Sequence, residues 1–249
     1  MYFNKLGTTE YNGVTIPDIF KRIVIANDEI VKSDLFEQYE IIEGETPESL
    51  SFNYYGRVDY YWTILIINNI KSRFFDWPMN SQELAQYIDS KYGNKSALFF
   101  ANSNNNMNLC DTKYIRKGSA EYEVLGCDRD LCKLEIEKVT ETQIYAQDDL
   151  ILLDKTRKYL TSNVVTRVVY ENEFAVHHIE AQDKDNDVII PSKQQLLTSY
   201  LNSAEMGGTS VVSNADYESA ENEKRRKILL IKPLYINQFV TNFKALAQA

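Results

Sequence analysis

The period of the hydrophobic pattern changes twice along this chain, and no other feature limits the fold as much. Helical spacing dominates up to about residue 93, period-two alternation takes over from about 110 to 190, and helical spacing returns from 216. Such a chain is α+β, with a β-rich middle between helix-bearing ends. Tyr122–Leu125 and Cys132–Val139 alternate apolar and polar, and Leu150–Leu153, Val164–Tyr170 and Phe174–Ile179 follow as further short strands. The polar turn Asp183–Asp187 then precedes Val188–Ile190, which reads as a hairpin return. Short strands divided by turn residues predict a small barrel or sandwich over 94–190.

The first helical stretch is the most legible. Tyr39–Glu43 reads as a strand ending at Gly44. Thr46 is placed to cap a helix with Pro47 at its first position and Glu48 beside the positive end of the dipole. Leu50 and Tyr54 share a face, and Gly56 is a stop. A second helix runs from a capping Asp59 to Asn68-Asn69, with Trp62, Leu65 and Ile66 at helical spacing. Ser72–Phe75 then reads as a returning strand, which gives a compact strand–helix–helix–strand unit. A further helix follows Pro78, with Ser81 as a second capping candidate, and Gly93-Asn94 closes the module spanning 37–93.

Residues 1–36 read as a docking arm with one short helix or turn at Pro17, Phe20, Ile23 and Val24. The Asn-rich run 102–108 reads as a loop, and 191–215, with Gly207-Gly208, as a flexible connector. The last segment, 216–249, reads as helix, strand and helix: Asp216 as cap, Ile228–Ile231 as a buried strand, a turn at Pro233, and a stripe of Ile236, Phe239, Val240, Phe243 and Leu246.

Composition argues against several functions. A formal net charge of -9 leaves no cationic excess for phosphates or an anionic bilayer. Lys224-Arg225-Arg226-Lys227 is the one dense basic run and reads as a solvated link between helix and strand. No apolar run reaches membrane-spanning length, and the N-terminus lacks the charged start and apolar block of a secretion signal, so a cytosolic origin is expected. Cys110, Cys127 and Cys132 do not read as a disulfide framework, and with His177 and His178 on opposite strand faces they do not read as a metal site. Asp148-Asp149 and the acids of 183–187 read as solvated turns, and no nucleophile elbow, phosphate loop or dinucleotide turn is present. The reading is therefore non-enzymatic, with no cofactor and no metal.

Aromatic residues point elsewhere. Tyr54, Tyr55, Tyr60, Tyr61, Trp62, Phe74, Phe75 and Trp77 fall within a module too small to bury them all. Trp62 is the best core candidate. Rings left outside require cover from another polypeptide, because large exposed apolar patches are rare on monomers. The expected partner-binding residues are Tyr54, Tyr55, Tyr60, Tyr61, Phe74, Phe75 and Trp77, with Phe239 and Phe243 of the last helix.

Tyr39, Gly44-Glu45-Thr46, Leu50, Tyr54-Tyr55-Gly56, Leu65 and Asn68 resemble a LysM-type module. That resemblance implies a βααβ fold and, as an alternative function, binding of N-acetylglucosamine polymers such as peptidoglycan through Gly44, Glu45, Thr46, Asn68 and Asn69. A wider match adds Tyr61-Trp62, Asn69, Phe75-Asp76-Trp77 and Ser81-Gln82-Glu83, then Tyr217-Glu218, Glu221–Lys224, Arg226, Ile228 and Ile236–Phe239. Together these are similar to the baseplate wedge proteins encoded by gene 53 of T4-like phages. The resemblance implies a structural virion subunit of the tail baseplate, assembled in the host cytoplasm. Its implied partners are other wedge and hub-proximal tail proteins, in a hetero-oligomer that joins neighbouring wedges, with neither nucleic acid nor membrane.

Overall fold

The computed structural model of the chain describes residues 7–17, 34–100, 106–182, 188–189 and 209–248. The chain divides into two compact units, Met1–Gln82 with Glu221–Ala249, and Glu83–Ala220. The mixed α+β class expected from the two changes of period is what the elements show.

In the first unit, β1 (Thr8–Tyr11) and β2 (Val14–Pro17) form an antiparallel hairpin. Asn12 and Gly13 turn it at φ 51 and 76, the left-handed pair that a tight two-residue hairpin turn requires. Pro17 thus ends a strand opposite Thr8 instead of opening a helix, which corrects the reading of that part of the arm. Phe20, Ile23 and Val24 lie outside the described residues.

β3 (Phe36–Glu40) leads to α1 (Pro47–Tyr55), a 3-10 turn (Val58–Tyr60) and α2 (Tyr61–Ile67). Thr46 caps α1 as its side chain type dictates: Ser49 N–H donates to Thr46 Oγ1 at 3.2 Å and Thr46 N–H donates back to Ser49 Oγ at 2.9 Å. Gly56 ends the helix in the left-handed region at φ 71. Asp59 lies inside the 3-10 turn and does not cap α2. The end of α2 is a Schellman turn with Asn69 at φ 53: Ile70 N–H donates to Leu65 O at 2.8 Å and Asn69 N–H to Ile66 O at 3.1 Å.

The expected return strand at Ser72–Phe75 is overturned. Residues 73–76 are a turn, and the partner of β3 is β13 (Lys227–Ile231), paired antiparallel from Phe36↔Ile231 to Glu40↔Lys227. The core therefore joins residues far apart in sequence: Ile41, Leu50, Ile64, Trp77, Ile228 and Leu230 form one buried cluster. Trp62, 2 % exposed, packs on Phe243 of the last helix, α5 (Ile236–Gln248), at 4.9 Å between ring centres. In the basic run, Arg226 spends its guanidinium on Glu223 and on Ile41 O.

The second unit is built on a closed barrel of β4 (Lys95–Phe100), β7 (Lys133–Glu137), β6 (Ala120–Asp128), β5 (Tyr114–Lys117), β8 (Asp149–Leu153) and β9 (Tyr159–Val169), in that order around the ring. The choice left open between barrel and sandwich is thereby resolved as a barrel. Leu98, Phe99, Phe100, Ile115, Leu134, Ile136 and Leu150 fill its core. Barrel closure removes free sheet edges, and bulges at Val124/Gly126 and Leu152/Leu153 supply the bends. β10 (Val176–Gln182) pairs with β11 (Val188–Ile189), the expected hairpin return, and with β12 (Thr209–Ser213) in a second sheet. Of the connector expected over 191–215, residues 191–208 lie outside the described residues, and the chain from Thr209 onward is ordered strand and helix.

α3 (Ser81–Tyr92) and α4 (Asn214–Lys224) each contain one of the two chain crossings between the units. Ser213, not Asp216, caps α4: Asp216 N–H donates to Ser213 Oγ at 3.1 Å while Ser213 Oγ donates to Asp216 Oδ2 at 2.7 Å. Cys110 and Cys127 are joined by a disulfide that closes a separation of 17 residues, correcting the expectation of three unlinked cysteines. Cys132 takes no part in that disulfide; it is buried, and its thiol donates to Arg129 O at 3.6 Å.

Candidate functional site

The turn after α2 is built from backbone and short polar side chains. Asp76 Oδ2 accepts the N–H groups of Lys71 at 2.8 Å and Ser72 at 2.9 Å, and Asp76 N–H donates to Ser72 O at 2.9 Å. These two backbone donors hold the Asp76 carboxyl below its ordinary pKa, with smaller help from Arg225 and Lys71. Arg73 pairs with Glu48 of α1 at 3.1 Å. Trp77 then turns inward, 6 % exposed, and its indole N–H donates to Glu45 O at 2.7 Å. Phe74 and Phe75 are left pointing outward, 82 % and 73 % exposed.

The other expected contact residues divide differently. Phe243, at 4 % exposure, is packed in the core, as is Trp77. Tyr54, Tyr55 and Tyr60 form a half-buried ladder of edge-on rings, with centres 4.8 Å apart for Tyr54–Tyr55 and 5.8 Å for Tyr55–Tyr60. The Tyr54 hydroxyl donates to Glu37, and burial together with that carboxylate raises its pKa. Tyr60 donates to Asn237 Oδ1 at 2.8 Å. Tyr61 and Phe239 are half-buried beside the Trp62–Phe243 pair. Sequence reasoning missed Phe52, 58 % exposed on α1, and Ile42, 67 % exposed after β3. Phe52 carries a signal, since it falls off the Leu50–Tyr54 face of the helix.

The residues of the alternative sugar-binding reading have internal duties. Glu45 accepts from Tyr39 Oη at 3.2 Å and from Ile42 N–H at 3.3 Å, and Thr46 caps α1. Burial and the Glu45 carboxylate raise the pKa of Tyr39. Asn68 places its amide against β13 like a short strand: Nδ2 donates to Leu229 O at 2.9 Å and Oδ1 accepts Leu229 N–H at 2.8 Å. Gly44 and Asn69 occupy left-handed turn positions.

In the second unit Asp148 accepts Tyr145 N–H at 2.8 Å and pairs with Lys117, so it is occupied as a turn and ion-pair residue. His177 and His178 meet through their Nδ1 atoms at 2.8 Å, and the His177 ring stacks on Tyr217 with centres 3.8 Å apart. Burial, then His178 and Lys133, lower the pKa of His177. No group of three or more His, Cys, Asp or Glu suited to a metal ion occurs among the described residues. The acidic run 183–187 lies outside them. No described helix is long and apolar enough to cross a membrane.

Residues 1–107 match the family described as Base plate wedge protein 53. No curated protein matches the chain. The matched stretch contains the hairpin, β3, α1, α2, the Phe74–Phe75 turn and α3, whereas the family-like run in 216–247 lies beyond it. Over residues 1–107 the chain is thus similar to the base plate wedge protein 53 family.

Proposed function

We propose that the chain binds other wedge subunits and helps join neighbouring wedges, with the first unit as its docking platform. The observation that carries this reading is the Phe74–Phe75 turn, two adjacent large rings held outside by a turn that needs neither of them for its own closure. Exposed aromatics on a rigid support are the usual anchors of protein interfaces. The β1–β2 hairpin supports the same reading: all four residues of β1 are exposed, and a two-stranded ribbon is marginal in water without a further strand or helix against it. Extended arms of this kind gain stability when a neighbour covers them.

The platform is read as a LysM-like βααβ unit whose last strand comes from the C-terminal segment. The order β3, α1, α2 and the antiparallel pairing of β13 on β3 support that reading. Its role is docking rather than sugar binding, because Glu45, Thr46 and Asn68 are engaged within the unit. Co-expression with the neighbouring wedge proteins of the same phage tests the function. The chain is expected to co-purify with them in a defined complex, and a chain that remains monomeric and unbound refutes the reading.

A further inference from the structure

We propose that the Phe74–Phe75 turn is a preformed plug for one kind of receptor, an apolar pocket rimmed by carboxylates on a neighbouring wedge protein. The inference rests on the wedge-binding reading and adds the chemistry of the partner surface.

Three observations converge on it. The rings are not part of the fold's interior: they are 82 % and 73 % exposed, while Trp77, two residues on, satisfies its indole N–H inside the unit. The turn is fixed before any partner arrives, since Asp76 holds the Lys71 and Ser72 N–H groups and Ser72 Oγ accepts Phe74 N–H at 3.3 Å. A group already held in position loses little freedom on binding. The charge near the rings also opposes that of the chain. Lys71 and Arg73 precede them in sequence, and Arg225 lies close enough to act on Asp76, so three cations stand with the carboxylates of Asp76 and Glu48. That is a locally positive spot on a chain of net charge -9.

Rings beside cations would also suit an anionic bilayer, which makes the membrane the competing receptor. The net charge of the whole chain opposes approach to such a surface, whereas an acidic rim on one protein meets only the local cations. The spot therefore fits a protein pocket better than a lipid surface.

The test uses the full chain, with the neighbouring wedge proteins of the same phage as one probe and phosphatidylcholine–phosphatidylserine vesicles as the other. Phe74→Ala and Phe75→Ala are each expected to weaken wedge binding by about 10- to 100-fold while leaving the thermal unfolding curve in place. Lys71→Glu is expected to weaken it several-fold at low salt and to flatten its salt dependence, with no vesicle binding by any form. Wild-type binding that survives both Phe substitutions overturns the plug. Binding that tightens with Lys71→Glu overturns the acidic rim, and vesicle binding lost with the rings assigns the turn to membranes instead. Failure of the wild type to bind any wedge protein removes the wedge-binding reading and the plug with it.

Discussion

Asparagine side chains connect the distant parts of the first unit. Asn68 bonds both backbone groups of Leu229, and Asn222 does the same for Met79, with Met79 N–H donating to Oδ1 at 2.8 Å and Nδ2 donating to Met79 O at 3.0 Å. Asn68→Ala leaves Leu229 without partners on that edge and is expected to destabilise the first unit by about 1–3 kcal/mol, measured by urea unfolding. The histidine pair sets a second expectation. Two imidazoles bonded Nδ1 to Nδ1 cannot both be protonated, and the pKa of His177 is lowered from 6.5 by burial, His178 and Lys133, with Lys91 adding to the effect and Glu218 opposing it. An unfolded His177 therefore binds a proton more readily than a folded one. Stability of the second unit should be level above pH 6.5 and fall as the pH drops below it, with the fall reduced by His177→Gln; unfolding melts across that range check it. At this scale Trp62 was legible as core from helical spacing alone. The division of Phe74 and Phe75 outward from Trp77 inward was not, because it depends on an indole N–H finding Glu45 O across the fold.

Helices were legible where their ends carry chemistry of their own, as at Thr46, Gly56 and Asn68-Asn69. Strands were legible where apolar and polar residues alternate in the sequence, as in β6 and β7. β4 escaped notice because Ala97–Phe100 is buried on both faces and shows no alternation. The hairpin turn Asn12-Gly13 was a local signal that the nearby Pro17 obscured. The false strand at Ser72–Phe75 has a different cause: aromatic residues favour strands, but the Asp76 carboxylate captures the backbone as a turn, and the true partner of β3 lies at the other end of the chain. That arrangement makes β13 indispensable to the first unit. Both tryptophans, Trp62 and Trp77, sit in this unit, so their fluorescence reports it alone. Ending the chain after Ala220 removes β13, Phe243 and two of the six buried residues of the Trp77 cluster, Ile228 and Leu230. The emission is expected to shift to that of solvated indole, while the far-ultraviolet β signal of the barrel remains. Unshifted emission would show that the first unit folds without its C-terminal strand.

For the whole molecule, the family match covers the arm, most of the first unit and the entry to the second, and ends before the barrel is complete. The structural role proposed for the chain in the baseplate rests on the similarity of that stretch. The closed barrel adds a stable body in which the Cys110–Cys127 bridge contributes about 3 kcal/mol by restricting the unfolded chain. Most aromatic residues of the first unit are accommodated by its own packing and by the tyrosine ladder, so the surplus inferred from composition narrows to a few rings, with Phe74 and Phe75 foremost. Hydroxyl-radical footprinting of these two residues, in the free chain and in the co-assembled wedge, tests whether neighbours cover that surplus. Both rings are expected to oxidise readily in the free chain and to be protected in the assembly, with buried Trp62 unchanged between the two. Equal oxidation of Phe74 and Phe75 in both states would contradict the account.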